Sequence, residues 1–131
     1  MDLLVLVARI LFVPIFLTSG MGHLGATDAM AGYAASKGVP SPRFAVQASG
    51  LLILLGGLSV VLGIYPAYGA LALVVFCVPT AFLMHAFWKE SDPMAKMGAR
   101  TNFLKDLALA GAGLFAYALV DAGAFGVQLI K

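Results

Sequence analysis

Four long apolar runs dominate the sequence, and they constrain its fold more than any other feature. They cover residues 3–24, 44–63, 67–88 and 103–125, and a helix needs roughly 20 apolar residues to cross a bilayer. Because lipid offers no hydrogen-bond partner to an unpaired backbone group, each run is expected to be a helix. The sequence therefore predicts an all-α integral membrane protein, a single domain built as a bundle of four transmembrane helices.

The composition excludes several other classes of protein. Hydrophobic residues make up 62% of the 131 residues and charged residues only 11%, whereas a soluble domain is roughly one-quarter charged. A polar surface cannot be assembled from so few charges, which argues against a soluble enzyme, a nucleic-acid-binding protein and a disordered chain. The single cysteine, Cys77, excludes an intrachain disulfide and a cysteine-based metal cage.

The segments between the runs predict the topology. A tight hairpin at 63–66 joins the second and third runs, whereas the loops 25–43 and 89–101 are longer. The first of these loops contains a stretch, 28–35, that is suited to a short interfacial helix. In a four-span chain both long loops lie on one side, and that side carries most of the lysines and arginines. The positive-inside rule predicts that both loops are cytoplasmic and both termini are outside.

Arg9 is a charged residue inside the first run, where it needs a partner, a cavity or access to the interface. It shares one helical face with Phe12, Phe16, Ser19 and His23, which follow at steps of three and four residues. Two interpretations remain open. Arg9 forms an intramembrane pair with Asp121, which lies at a compatible depth in the fourth run, or its side chain extends to the headgroups.

Polar residues near the spans concentrate at the loop side of the predicted bundle. His23 ends the first run, His85 and Trp88 lie near the end of the third, and Lys105 and Asp106 begin the fourth. One interpretation is an interfacial belt of anchoring side chains. A second is that His23, His85, Trp88 and Lys105, beside Asp106, form a pocket for a ligand with a polar head and an apolar tail, such as a quinone. A third is haem ligation by the two histidines. No catalytic or nucleotide-binding motif is present.

Five segments, in order, resemble the DoxX family of small four-helix bacterial membrane proteins. The matching segments are Ala8-Arg9-Ile10-Leu11 with 16–22, Tyr33 to Pro40, the glycine-containing stretch 50–63, the set Phe82, His85, Phe87 and Trp88, and the stretch 102–108. Two positions depart from the family pattern: His23 stands where members often have lysine, and Ile53 where they often have glutamate.

The resemblance implies a location in the bacterial inner membrane and a link to redox chemistry, because the family includes relatives of a thiosulfate:quinone oxidoreductase membrane subunit. The leading hypothesis is an accessory subunit of a larger, redox-linked membrane complex. The alternative is a quinone-interacting subunit of an oxidoreductase, and the third is a small-solute transporter. The expected partners are membrane lipids and either other membrane subunits or further copies of this chain. Quinone is the cofactor that the resemblance suggests.

Overall fold

The computed structural model describes residues 1–131 and is almost entirely helical. Its helices are α1 (Asp2–Phe12), α2 (Pro14–Gly25), α3 (Thr27–Ser36), α4 (Pro42–Leu62), α5 (Pro66–Met84) and α6 (Pro93–Asp121), with a 3₁₀ turn at Phe87–Lys89. Four helical segments are long and apolar enough to cross a membrane: Asp2–Gly25, Pro42–Leu62, Pro66–Lys89 and Pro93–Asp121. The predicted all-α fold with four membrane-spanning helices is confirmed.

The first span consists of two helices that meet at Val13. Pro14 occupies the first position of α2, where its missing N–H leaves no helical hydrogen bond unmade. The loop that follows contains α3, which covers the predicted short helix at 28–35 and packs against α4. It ends before Gly38, whose backbone is left-handed.

The fourth helix begins at Pro93, ten residues before the predicted start at 103. Asp92 caps it by accepting a hydrogen bond from the Ala95 amide at 2.8 Å, and Pro93 occupies the first helical position. Both are standard helix-start signals. The apolar run located only the part of α6 that suits a bilayer, because Lys96 and Arg100 make the first turns of the helix polar.

Helix α4 lies against α2, α3 and α5, and α5 packs against α6. The buried core is apolar and runs through these helices. It consists of Val13, Phe16, Ile53, Val60, Ala70, Leu73, Cys77, Ala110 and Phe125. Only 25 of the 131 residues are buried, and many large apolar side chains lie on the outside, as expected for a bundle whose solvent is lipid.

The predicted Arg9–Asp121 pair is not present in the structure. The Arg9 guanidinium donates hydrogen bonds to three carbonyl oxygens, those of Val60 at 2.9 Å, Val61 at 2.7 Å and Val127 at 2.7 Å. Val60 and Val61 belong to the last turn of α4, whose carbonyls have no partner within the helix. Arg9 therefore provides hydrogen-bond donors for unpaired carbonyls at the end of α4. Asp121 is exposed.

The C-terminal tail encloses this arginine site. Beyond α6 the chain returns to the hairpin between α4 and α5, where the Tyr65 amide donates to the Ile130 carbonyl at 2.9 Å and the Ile130 amide to the Gly63 carbonyl at 3.1 Å. Phe125, in the tail, is fully buried, and the Arg9 Cζ lies 4.6 Å from its ring centroid. The last span therefore ends at Asp121, and 122–131 form a cap instead of continuing a helix to 125.

Candidate functional site

A cavity of about 340 Å³ lies among α2, α4, α5 and α6, with α3 on its loop side. Its volume is within the usual range for small-molecule sites, roughly 300–1,000 Å³. Most of its lining is apolar. The apolar lining includes Ile15, Phe16, Met30, Val46, Phe76, Leu83, Met84 and Leu109.

Three of the four predicted site residues line this cavity. His23 comes from the end of α2, His85 from the position just after α5, and Lys105 from α6, where Asp106 follows it. Helices α2 and α5 end on the loop side, and α6 begins there. The topology therefore brings these polar side chains to the loop side of the cavity. His23, His85 and Lys105 therefore line one cavity in the structure, and their binding of a ligand stays a prediction.

His23 is held in a defined orientation against α4. Its Nδ1 lies 3.2 Å from the Val46 carbonyl oxygen and 3.0 Å from Ser49 Oγ. A carbonyl can only accept, so its contact with Nδ1 assigns the proton of the neutral ring to Nδ1. Nε2 has no protein partner, and in this tautomer it carries the lone pair of the ring. The imidazole also packs edge-on against Phe76, with 5.9 Å between ring centroids.

Close packing of two helices places His23 against α4. A Cβ atom built on Gly50 would lie 2.5 Å from the Cβ of His23, and one built on Gly20 would lie 2.9 Å from the Gly50 carbonyl oxygen. Only glycine allows α2 and α4 to approach this closely. Gly50 therefore belongs to the site as a packing residue.

Asp106 is the most deeply buried charged group of the cavity. Its Oδ2 lies 3.5 Å from His85 Nε2, and its Oδ1 lies 3.8 Å from Lys105 Nζ. Both distances are longer than a hydrogen bond to a carboxylate, and Oδ2 has no hydrogen-bond partner in the protein. The polar end of the cavity therefore contains a carboxylate with a free accepting position.

Trp88 does not line the cavity, which separates it from the other predicted site residues. It belongs to the 3₁₀ turn after α5 and packs in an aromatic cluster on the outside of α5 and α6. The ring centroids of Phe82, Phe87 and Phe103 lie 6.1, 5.2 and 5.5 Å from that of Trp88. Trp88 is about half exposed, an arrangement that fits the anchoring interpretation of this residue.

Helix α3 forms the loop-side cover of the cavity through Met30, Tyr33 and Ala34. Its C-terminal end is tied to the segment after α5 by an ion pair between Lys37 Nζ and Glu90 Oε1 at 3.0 Å. The hydrogen bond to Glu90 raises the pKa of Lys37. A second ion pair joins Asp28, at the start of α3, to Arg43, at the start of α4.

Several residues that line the cavity from α5 are not among the predicted site residues. Phe76, Cys77, Thr80 and Leu83 belong to this set. Phe76, Thr80 and Leu83 follow at steps of four and three residues, which places them on one helical face. The polar Thr80 on that otherwise apolar face was the one sequence signal for a cavity on this side of α5. Cys77 gave no such signal, because it is also part of the buried core.

Comparison with known proteins gives the family. The model of the DoxX family matches residues 4–86 of this chain. The chain belongs to the DoxX family. It is similar to the inner membrane protein YqjF of Escherichia coli K12, with 32% identity over 127 residues that cover 97% of this chain and 91% of YqjF. It is also similar to the inner membrane protein YphA of the same organism, with 28% identity over 125 residues, 95% of this chain and 88% of YphA.

No solved structure matches the chain significantly. The segment that matches the DoxX family model contains Arg9, His23 and His85, whereas Lys105 and Asp106 lie after the end of that segment. The two relatives extend over nearly the whole chain and therefore include the helix that carries those residues. The protein is a DoxX family membrane protein, and its relatives reside in the bacterial inner membrane.

Proposed function

We propose that this DoxX protein binds a lipid-soluble quinone in its cavity and serves as a quinone-interacting subunit of a redox-linked assembly in the bacterial inner membrane. One observation carries the proposal: the cavity is polar at the loop side and apolar deeper in the bundle. His23, His85 and Asp106 lie at the polar end, whereas Phe16 and Phe76 lie deeper. A quinone has the same division, with a polar ring and an apolar tail.

The residues of the cavity fit such a ligand in two respects. The buried Oδ2 of Asp106 lacks a partner, and a buried polar atom without a partner costs free energy that a ligand group can recover. The lining residues Ile15 and Leu83 are also exposed on the outer surface. A tail held in the cavity can therefore continue into the surrounding lipid.

A bound quinone would supply redox chemistry, and the chain would supply binding and orientation. His23 is oriented by Val46 and Ser49, and Asp106 lies between His85 and Lys105. These groups can hold the ring at the loop-side end. Electrons would have to come from another subunit, because the chain carries no redox motif of its own.

The proposal is tested by purifying the protein in a mild detergent and extracting everything that is bound to it. Mass spectrometry is expected to find a quinone in near-stoichiometric amount, and titration with a short-tailed benzoquinone should show saturable binding. The variant His85→Ala should weaken that binding at least about tenfold, since it removes a wall of the polar end. Trp88→Phe is the matched control and should bind as the wild type does, because Trp88 lies outside the cavity.

An accessory role in a larger complex is favoured by the loop-side end of α6. At 1.5 Å per residue, a helix of 29 residues is about 43 Å long, more than the roughly 30 Å hydrocarbon core. Its first turns, which include Met94, Lys96, Met97 and Arg100, are exposed. This protruding end offers a surface for a second subunit.

Co-purification from the native membrane distinguishes the two roles. A stable partner subunit without bound quinone would support the accessory role alone. A preparation with neither partner nor quinone would contradict both proposals and favour the small-solute transporter. An absorption band of haem would instead direct attention to ligation by the two histidines.

A further inference from the structure

The carboxylate of Asp106 determines which chemical form of a ligand suits the cavity. The residue is only 5% exposed, and its Oδ2 has no hydrogen-bond partner in the protein. In its ionised form the Asp106 side chain accepts hydrogen bonds and donates none. The polar end of the cavity therefore requires a donor from the ligand at this position.

The neighbouring side chains do not meet that requirement. His85 Nε2 is 3.5 Å from Oδ2, which is too long for a charge-assisted hydrogen bond. Lys105 Nζ is 3.8 Å from the other oxygen, Oδ1, and bonds to Asn102 Oδ1 at 3.3 Å. Lys105 balances the charge of the carboxylate without occupying Oδ2.

His23 presents a second acceptor to the same cavity. Its Nδ1 proton is directed to the Val46 carbonyl, so Nε2 of the neutral ring can only accept. Asp106 and His23 belong to different helices, α6 and α2, and both line the cavity. The polar end thus offers two acceptors from two different helices.

We propose that Asp106 makes the cavity selective for the reduced, hydroxyl-bearing form of the ligand, a hydroquinone, over the oxidised quinone. This inference rests on the proposed quinone-binding function and names the form that the site takes. A hydroquinone has two hydroxyl donors, which are the groups that Oδ2 of Asp106 and Nε2 of His23 lack. A quinone has only carbonyl acceptors, which cannot donate to either of these two positions. Asp106 is thereby the specificity-determining residue.

The first experiment needs no variant. Binding of a short-tailed benzoquinone, of its hydroquinone and of the dimethyl ether of that hydroquinone is measured on the detergent-purified, full-length protein under anaerobic conditions. The hydroquinone is expected to bind at least about tenfold more tightly than either of the others, because only the hydroquinone can donate a charge-assisted hydrogen bond to Asp106. The dimethyl ether keeps the ring and loses only the donors, so its weak binding would identify hydrogen-bond donation as the cause.

The second experiment uses Asp106→Asn, which keeps the shape of the side chain and adds a donor. The variant should lose affinity for the hydroquinone and gain affinity for the quinone, so that the preference falls to near one or reverses. If Asp106 had only a structural role, the substitution would lower the affinity for both ligands by the same factor. Asp121→Asn is the control, because Asp121 is an exposed aspartate at the other end of the same helix, and it should keep the wild-type preference.

The outcomes separate this inference from the proposed function. If none of the three compounds binds, the quinone-binding function itself fails. If the quinone and the hydroquinone bind equally well, the function stands and the selectivity is overturned. An unchanged preference in Asp106→Asn would overturn the role of Asp106, and if that variant does not fold, the wild-type comparison with the dimethyl ether decides alone.

Discussion

The guanidinium of Arg9 lies over the ring of Phe125, with 4.6 Å between Cζ and the ring centroid. The two residues come from opposite ends of the chain. The arginine also binds the carbonyls of Val60 and Val61, so one buried cation joins the first span, the end of α4 and the C-terminal tail. A charge that is costly in a membrane is stabilised here by a ring of backbone acceptors and an aromatic face.

Arg9 is therefore expected to be essential for stability. Arg9→Met keeps the length of the side chain and removes the donor from three carbonyls, of which that of Val60 is in a buried contact and those of Val61 and Val127 are in part-buried ones. Each carbonyl left unsatisfied costs about 1–3 kcal/mol, with the larger values for the buried one. We expect a loss of at least about 3 kcal/mol in the free energy of unfolding, visible as a lower melting temperature of the detergent-purified protein. Arg9→Lys should retain part of the stability, because an ammonium can reach fewer of the three acceptors.

Asp121→Asn provides the control for the arginine site. The structure gives Asp121 no ion pair, so this variant should melt within about 0.5 kcal/mol of the wild type, as ordinary surface substitutions do. A loss as large as that of Arg9→Met would show that the two residues form the intramembrane pair after all.

The main features of the fold could be predicted because they depend on hydrophobicity alone. Apolar runs locate the four spans, and the order of spans and loops brings His23, His85 and Lys105 to one side of the bundle. The partner of Arg9 could not be found in this way, because backbone carbonyls look alike at every position of a sequence. The capping tail could not be predicted for a related reason, because the hydrophobicity of an apolar tail does not distinguish it from a continuation of the preceding helix.

The sequence also could not predict that Oδ2 of Asp106 has no hydrogen-bond partner. Its neighbours His85 and Lys105 can be named from the helix ends, but whether they reach hydrogen-bonding distance depends on sub-ångström positions. The early start of α6 is different, because Asp92 and Pro93 form a helix-start signal that was present in the sequence. The charges of Lys96 and Arg100 concealed it by interrupting the apolar run.

Gly50 is expected to control the position of His23. Gly50→Ala places a methyl group against the Cβ of His23, 2.5 Å away before any adjustment, so α2 must move from α4. Such overpacking typically costs about 1–3 kcal/mol. The shift should also break the contacts of His23 with Val46 and Ser49 and weaken ligand binding at least about tenfold, as measured by titration with the short-tailed hydroquinone.

Gly111→Ala is the matched control for Gly50. No atom lies within 4 Å of a Cβ built on Gly111, and alanine is the better helix former by up to about 1 kcal/mol. This variant should be as stable as the wild type or slightly more so, with unchanged ligand affinity. Equal effects of the two substitutions would mean that the close approach of α2 and α4 does not position the site.

The orientation of the bundle is tested by fusions to its C-terminus. The positive-inside rule predicts that the loops 25–43 and 89–101 are cytoplasmic and that Lys131 is outside. A C-terminal alkaline phosphatase should therefore be active, and a C-terminal green fluorescent protein should be dark, in cells that express the full chain. A bright fluorescent fusion and an inactive phosphatase would reverse the topology and place the polar end of the cavity on the periplasmic side.

The ion pair between Lys37 and Glu90 is expected to hold α3 over the cavity. Both side chains are about one-quarter exposed, and pairs near the surface contribute at most about 1 kcal/mol. A double-mutant cycle with Lys37→Met and Glu90→Gln should give a coupling energy of this size in thermal unfolding at pH 8. The single variants should also speed ligand exchange, because they release the cover of the cavity.

The coupling has a defined dependence on pH. The hydrogen bond to Glu90 raises the pKa of Lys37 above its ordinary value of 10.5, so the folded state binds this proton more tightly than the unfolded state does. The stabilisation is therefore complete below about pH 10.5 and is lost as the pH rises through the higher folded-state pKa. Repeating the cycle in strongly alkaline buffer should reduce the coupling energy toward zero. A coupling energy that persists there would show that packing of the two side chains, and not their charge, holds α3 in place.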